Sequence, residues 1–593
     1  MLKKFAATFM LLVITAAAPA ADFMENVYAR KHTLLNGNWQ YIVDMYETGF
    51  YDYRRQEDAN GFFRNYIPAD ESGRVEYSFE DARELRVPGD WNSQDEKLHF
   101  YEGTIWYKKD FDYKLEDGKR LFLYFGAVNY ESYVYLNGTK LGRHEGGFTP
   151  FQFEITDLLR ENGNFVVVRA NNERRADAVP TLNTDWWNFG GITRDVMLIE
   201  TENTFVSDYD LSLSGEGTSI TGHIKMNGNA VPLSATISIE GLCEGEEVLM
   251  SRDGEAKFVI EASPERWCPE NPKLYNITIT AGESSVSDKI GFRSIEAKGN
   301  EILLNGKSVF LRGICIHEQA PLRQGRAATR EEAQILLGWA KELGCNFVRL
   351  AHYPHNEHMI RLAEEMGLLL WSENPVYWTI QWDNPQTYAL AERQLDEMIR
   401  RDKNRAAVII WSMSNETPVT EARLKFLTAL SNKARELDNT RLISAALEKH
   451  YKDNRTIIID DPFGKELDVV GVNEYVGWYD GTPEKCDSLE WEMIYDKPMI
   501  ISEYGGGALF GKHGTDKTMW SEEYQSNLYK HQFIMLDKIP FLRGTTPWIL
   551  ADFQSPRRLL PKIQDGWNRK GLISEKGERK QAFYDLQEYY KSK

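Results

Sequence analysis

Residues 406–438 read "AAVIIWSMSNETPVTEARLKFLTALSNKARELD". The first half is a short apolar run, the pattern of a strand buried on both faces. It passes through a Trp and a few small residues and ends on Asn415-Glu416. The second half spaces its apolar residues as an amphipathic helix does. A doubly buried strand followed by such a helix is the repeating unit of a parallel sheet.

The unit recurs on both sides. "VFLRGICIHE" leads into "TREEAQILLGWAKELG", "NFVRLAHYP" into "NEHMIRLAEEMG", and "LLLWSENPVY" into "TYALAERQLDEMIRRDKN". Downstream stand "RLISAALEK", "DVVGVNEYVGWY", "PMIISEYGG" and "FLRGTTPWILADF". Eight strands, most followed by a helix, predict a (β/α)8 TIM barrel over residues 298–593.

Upstream the texture is different. Residues 21–200 carry short alternating runs such as "LFLYFGAV", "ESYVYLNG", "NFVVVRANN" and "RDVMLIE", with Asn-Gly at 137–138 and 162–163. These predict an antiparallel, jelly-roll-like β-sandwich. Residues 201–297 repeat the style over the length of an immunoglobulin-like sandwich, in "TSITGHIKM", "LSATISIE", "AKFVIEA" and "LYNITITAG". A chain of 593 residues needs several cores in any case.

The bulk numbers narrow the function. With 42% hydrophobic and 27% charged residues the chain is globular in composition. Its formal net charge of −19, without a basic run, argues against nucleic acid and anionic membranes as partners. An anionic substrate would therefore need a local cationic pocket. Sixteen Trp and 29 Tyr suit sandwich cores and sugar-stacking platforms equally.

Residues 1–20 have the form of a secretory signal peptide: Lys3 and Lys4, a short apolar stretch from Phe5 to Ala18, and a small-x-small site ending at Ala20. An exported protein, periplasmic or extracellular and without a membrane anchor, is expected. The five Cys form no CxxC and no Cys/His cluster, so neither a metal nor another cofactor is expected. Cys243 and Cys268 lie in one segment, and their pairing stays open. Oligomeric state stays open too.

Chemistry in this barrel type gathers at the C-terminal ends of the strands. Six acids stand there: Glu318, Glu373, Glu416, Glu474, Glu503 and Asp552. Glu416 and Glu503 end the fourth and seventh strands, on opposite sides of an eight-stranded ring, and can face one another across a pocket. Asn415 can donate to a sugar 2-hydroxyl, a contact that tightens in an oxocarbenium-like transition state.

These stretches carry a resemblance. "WSMSNE" resembles the acid/base signature of family 2 glycoside hydrolases, and "ISEYG" resembles their nucleophile strand. "LLNGKSVFLRGICIHE" and "VRLAHYP" resemble their first two barrel strands. The likeness spans the mature chain and is greatest to the β-glucuronidase branch. It implies a retaining, exo-acting β-glycosidase with a carbohydrate substrate, Glu416 as general acid/base and Glu503 as nucleophile. It also implies that Arg349 keeps Glu503 ionised and that His352 lines the same rim.

The choice of sugar rests on further likenesses. "GWNRKGL" resembles the branch's Asn-x-Lys motif, which implies that Asn568 and Lys570 grip a sugar carboxylate. "TDWWNFGGITR" implies a sugar-binding Asp185 from the sandwich, "NEYVGWY" places Tyr475 and Tyr479 near the sugar, and Trp548 would be the stacking floor. The segment "QSPRRLLPKIQDGW" departs from the branch's short form, adds Arg557, Arg558 and Lys562, and leaves the usual upstream Arg without an obvious place. The resemblance implies release of terminal β-D-glucuronic acid. A β-galactosidase or β-galacturonidase of the same family, or a carbohydrate-binding protein with an inactive barrel, are the alternatives.

Overall fold

A computed structural model of the chain describes residues 23–57, 71–73, 76, 78–214 and 217–593. The signal-like stretch lies outside the described residues. None of the described helices is long and apolar enough to cross a membrane.

The chain builds two sandwiches and a closed barrel. The first sandwich packs a four-stranded sheet on a six-stranded one. Its centre is the strand Asn164–Asn171, buried at every position, which pairs antiparallel with Thr104–Phe111 and Glu131–Leu136. The second sandwich packs three strands on four. Ser284–Ile290 and Glu255–Glu261 alternate strictly between buried and exposed residues, as strands with one solvated face must. All five Cys are free. Cys243 starts a strand of the second sandwich and packs on that core, whereas Cys268 packs against the barrel's core, so the two thiols left open for pairing serve different cores.

The barrel strands are β1 (Leu311–His317), β2 (Phe347–Ala351), β3 (Leu369–Glu373), β4 (Val408–Asn415), β5 (Leu442–Leu447), β6 (Val470–Asn473), β7 (Met499–Glu503) and β8 (Leu542–Thr545). Every pairing between neighbours is parallel, and β8 closes onto β1. Helices α1 (Arg330–Glu342), α2 (Glu357–Met366), α3 (Pro385–Asp402) and α4 (Glu421–Leu437) follow the first four strands. Their starts are fixed locally. Thr329 and Glu332 make a reciprocal capping box for α1, and Thr420 caps α4. After β5 and β6 short 3-10 turns, Pro462–Lys465 and Pro483–Ser488, and a small three-stranded sheet stand in place of a helix; α5 (Glu522–Leu536) and α6 (Gln581–Lys591) follow β7 and β8.

The first sandwich reaches into the barrel mouth. Trp186 and Phe148 form one apolar cluster with Tyr353, Tyr377, Trp548 and Phe553 from the barrel's loops. Trp186 lies against the rings of His317, His352 and Tyr377. Asp185, beside it in sequence, is thereby held at the same mouth.

Candidate active site

Five of the six acids singled out in the sequence are held by cations. Glu318 pairs with Arg194 at 3.1 Å and Arg326 at 3.2 Å, and Glu474 with Lys449 at 3.4 Å. Asp552 lies seven positions beyond the end of β8 rather than on it, and pairs with Lys580 at 2.7 Å and Arg569 at 3.2 Å. Glu373 accepts from Arg349 at 3.2 Å and faces His352 Nδ1 at 2.8 Å. Burial raises its pKa, but Arg349, His352 and the Trp371 N–H outweigh burial and hold it at about 2.

Glu503 shares Arg349 with Glu373, and Glu416 alone of the six has no cation partner among the described residues. Glu503, buried at the end of β7, accepts from Arg349 Nη1 at 2.8 Å and from the Tyr475 hydroxyl at 2.6 Å. His352 Nε2 stands 3.6 Å away. Burial pushes the Glu503 carboxyl above the ordinary range; Arg349 pulls it down, and the Glu416 charge pushes it up again. Burial is the larger effect, so Arg349 moderates the shift without reversing it. Glu416 follows β4 directly and accepts from Trp378 Nε1 at 2.8 Å and Asn473 Nδ2 at 2.9 Å. Both ends of the Trp378–Glu416 bond adopt left-handed backbone, with φ of 52° and 48°. Non-glycine residues are held there at a cost, and such positions concentrate at functional sites.

The two acids share one polar network. Asn415 Oδ1 accepts from Arg349 at 2.7 Å and from Asn473 at 3.2 Å. Its amide Nδ2 is buried and has no hydrogen-bond partner among the described residues. An unsatisfied buried donor beside two carboxylates is the group expected where a substrate hydroxyl completes the set. Trp548 stacks on His352, ring centroids 4.9 Å apart, at the same mouth.

A second cluster adjoins the first. Tyr475, bonded to Glu503, lies edge-on to Tyr479, ring centroids 5.4 Å apart. The Tyr479 hydroxyl accepts from Lys570 Nζ at 2.7 Å and from Arg558 Nη1 at 3.4 Å. Tyr479 is exposed, and these two cations outweigh the desolvation they stand against and lower its pKa. Lys570 is 4% exposed and makes no ion pair with a described carboxylate. Burial, with Arg558 adding, lowers its pKa. The segment seats it tightly: a side chain at Gly571 would collide with the Asp552 backbone. Arg558 pairs bidentately with Asp185, which also accepts from Ser555 at 2.6 Å and Asn568 at 3.4 Å. Arg569 turns away to Asp552 and Glu575.

The structure thus gathers Glu416, Glu503, Arg349, His352, Asn415, Tyr475, Tyr479, Trp548, Asp185, Asn568 and Lys570 at one mouth. It adds residues the sequence reading did not assign. Arg558 supplies a second cation from the longer segment. Trp378 and Asn473 hold the acid/base candidate. Asn473 did carry a signal: "VNEY" repeats the Asn-Glu pair of "SNET" at another strand end. In "SNET" both Asn415 and Glu416 enter the site; in "VNEY" Asn473 does, while Glu474 pairs with Lys449.

Comparison with known proteins fits this geometry. Residues 295–592 match the TIM barrel domain of glycosyl hydrolases family 2, and residues 33–202 match that family's sugar binding domain. The chain belongs to glycosyl hydrolases family 2 and is a glycoside hydrolase. It is 27% identical to a β-glucuronidase of Felis catus over 95% of this chain and 91% of that protein. It is 28% identical to a putative β-glucuronidase of Formosa agariphila over 85% of this chain, and spans 66% of that protein's length. A β-galacturonidase of Eisenbergiella tayi, solved with galacturonate, superposes with a TM-score of 0.79 at 25% identity, over 97% of this chain and 99% of that one.

Proposed function

We propose that the protein is a retaining, exo-acting β-glucuronidase that releases terminal β-D-glucuronic acid from glycans or conjugates, and that it acts after export. The observation that carries the uronide reading is Lys570. Its ammonium is buried among the rings of Tyr475, Trp478 and Tyr479, with the Tyr479 hydroxyl as its one hydrogen-bond partner among the described residues, and a cation so placed is costly unless an anion joins it. A C6 carboxylate placed between Lys570, Arg558 and Tyr479 supplies that anion.

In this reading Glu503 attacks C1 and expels the leaving group, whose oxygen takes the proton of Glu416. The two carboxyls of a retaining enzyme stand ~5–5.5 Å apart, so one stays protonated while the other is charged. Once Glu503 is esterified its charge is gone, and Glu416 then deprotonates the water that frees the sugar. The free Nδ2 of Asn415 donates to the 2-hydroxyl.

β-Galacturonidase is the second reading, because galacturonate carries the same carboxylate and differs only at C4. Turnover of a panel of 4-nitrophenyl β-D-glucuronide, galacturonide and galactoside tests both. Glucuronide should be cleaved best. Faster galacturonide cleavage would transfer the assignment, and best cleavage of galactoside would discard the uronide reading.

A further inference from the structure

Arg557 is exposed, and its guanidinium lies over the Trp378 ring, 4.8 Å from the centroid. It donates to Asn183 Oδ1, also exposed, at 2.6 Å, and pairs with no described carboxylate. The other face of this arrangement is catalytic: half-buried Trp378 donates its indole N–H to Glu416. Glu416 delivers its proton to the oxygen of the departing group, so that group must lie beside Trp378. The sugar carboxylate belongs elsewhere, at Lys570 and Tyr479, reached from Glu503 through Tyr475. The indole stacks on Tyr377, ring centroids 4.5 Å apart, and carries the exposed Arg557 cation, so a cation stands beside the acid/base and apart from the Lys570–Tyr479 pair.

We propose that Trp378 and Arg557 form a leaving-group subsite that selects anionic aglycones, namely a glycan residue bearing a carboxylate or a sulfate. The inference rests on the glycosidase reading of Glu416 and deepens it. Charge makes the choice meaningful. On a chain of net charge −19 an acidic polymer is repelled in general. A local cation at the leaving-group side offsets that repulsion where the bond is cut. Tethering by Asn183 and stacking on Trp378 hold the guanidinium in place, which reduces the ordering cost of an ion pair.

The test compares three aryl β-glycosides matched in leaving-group acidity: one neutral, one with a ring carboxylate, one with a ring sulfate. Each is prepared on the glucuronide, galacturonide and galactoside. The wild-type enzyme should favour the anionic aglycones by about two- to five-fold in kcat/KM, the range of a partly exposed ion pair. The preference should shrink as salt rises. Arg557→Met should lower that ratio, and Arg557→Lys should restore part of it. A preference for only one of carboxylate and sulfate identifies the group selected. A wild-type ratio of one overturns the proposal. So does an equal loss on all three substrates in Arg557→Met, which would make the residue only a positioner of Trp378. Turnover confined to a galacturonide or galactoside sinks the glucuronide reading alone, since the ratio is still measured there. Absence of turnover on every glycone overturns both.

Discussion

The Tyr475 hydroxyl donates to Oε2 of Glu503 at 2.6 Å. It does so as a neutral phenol, because burial and the Glu503 charge push its pKa well above the ordinary value. Burial has already raised the Glu503 carboxyl, and the Tyr475 bond is one of the forces lowering it. The nucleophile works only when ionised. Activity is therefore present above its raised pKa and is lost, as pH falls, earlier than an ordinary glutamate would dictate. Tyr475→Phe removes a bond to a charged acceptor, about 1.5–3 kcal/mol, or a ten- to hundred-fold loss in kcat/KM. It should also move the acid limb of the kcat/KM–pH profile further up. An unmoved limb would separate Tyr475 from the nucleophile's ionisation.

The acid pair makes a separate prediction. Glu503→Gln should abolish turnover. Glu416→Ala should slow natural glycosides far more than aryl glycosides with good leaving groups, which need little protonation. Azide should rescue Glu416→Ala and yield a β-azide. Inverted product, or near-wild-type turnover by Glu503→Gln, contradicts the assignment.

Glu373 also sits at a strand end, yet its task is structural. It is held at about 2, against an ordinary value near 4.5. A carboxylate depressed in this way contributes stability above the ordinary pKa and loses it as pH falls from there toward 2. A gap of that size corresponds to about 3 kcal/mol. Glu373→Gln leaves Arg349 buried with one carboxylate instead of two, and breaking a buried pair costs about 3–5 kcal/mol. Thermal unfolding of the barrel at pH 7 and at pH 3.5 should show a large Tm loss in the variant at pH 7 and a smaller one at pH 3.5. Equal losses at both pH values would argue that Glu373 is not ionised in the fold.

Much of this was legible in residue order. Doubly buried strands such as Val408–Asn415, followed by capped amphipathic helices, announce a parallel barrel, and its strand ends locate the acids. The strictly alternating Glu255–Glu261 announces a half-solvated sheet. What order does not encode is which way a side chain turns. Five of the six acids do end strands, and only their partners separate them: Glu474 faces Lys449, Glu318 faces Arg194, Glu503 and Glu373 share Arg349, and Glu416 faces two neutral donors. The place of Arg558 was equally hidden, since its partner Asp185 lies 373 residues away in another domain.

That pairing is itself testable. Asp185 holds Arg558 bidentately, and Arg558 reaches the Tyr479 hydroxyl with its remaining nitrogen. If Asp185 acts on uronides chiefly by aiming Arg558, then Asp185→Asn and Arg558→Ala remove one function rather than two. The double variant should lose about as much kcat/KM as the worse single one. The coupling should reach about 0.5–3 kcal/mol. Additive losses would show that Asp185 contacts the sugar independently.

Lys570 makes the sharpest prediction. Its ammonium is buried, its pKa is lowered by that burial, and Tyr479 is its one hydrogen-bond partner among the described residues. Removing it leaves a substrate carboxylate desolvated without its counter-charge, a loss of ~2–5 kcal/mol for one member of a buried pair. Lys570→Ala and Lys570→Met should therefore cut kcat/KM on uronides by about thirty-fold to several thousand-fold. Neutral β-glycosides have no carboxylate to strand, so slow activity on them should hold or rise. The stability of the free protein should rise or stay level as well, because the variant no longer buries an unpaired cation. The comparison is internal, one variant against two substrates that differ at C6. If glucuronide and galactoside turnover fall by the same factor, Lys570 serves the fold rather than the carboxylate, and the uronide reading loses its main support.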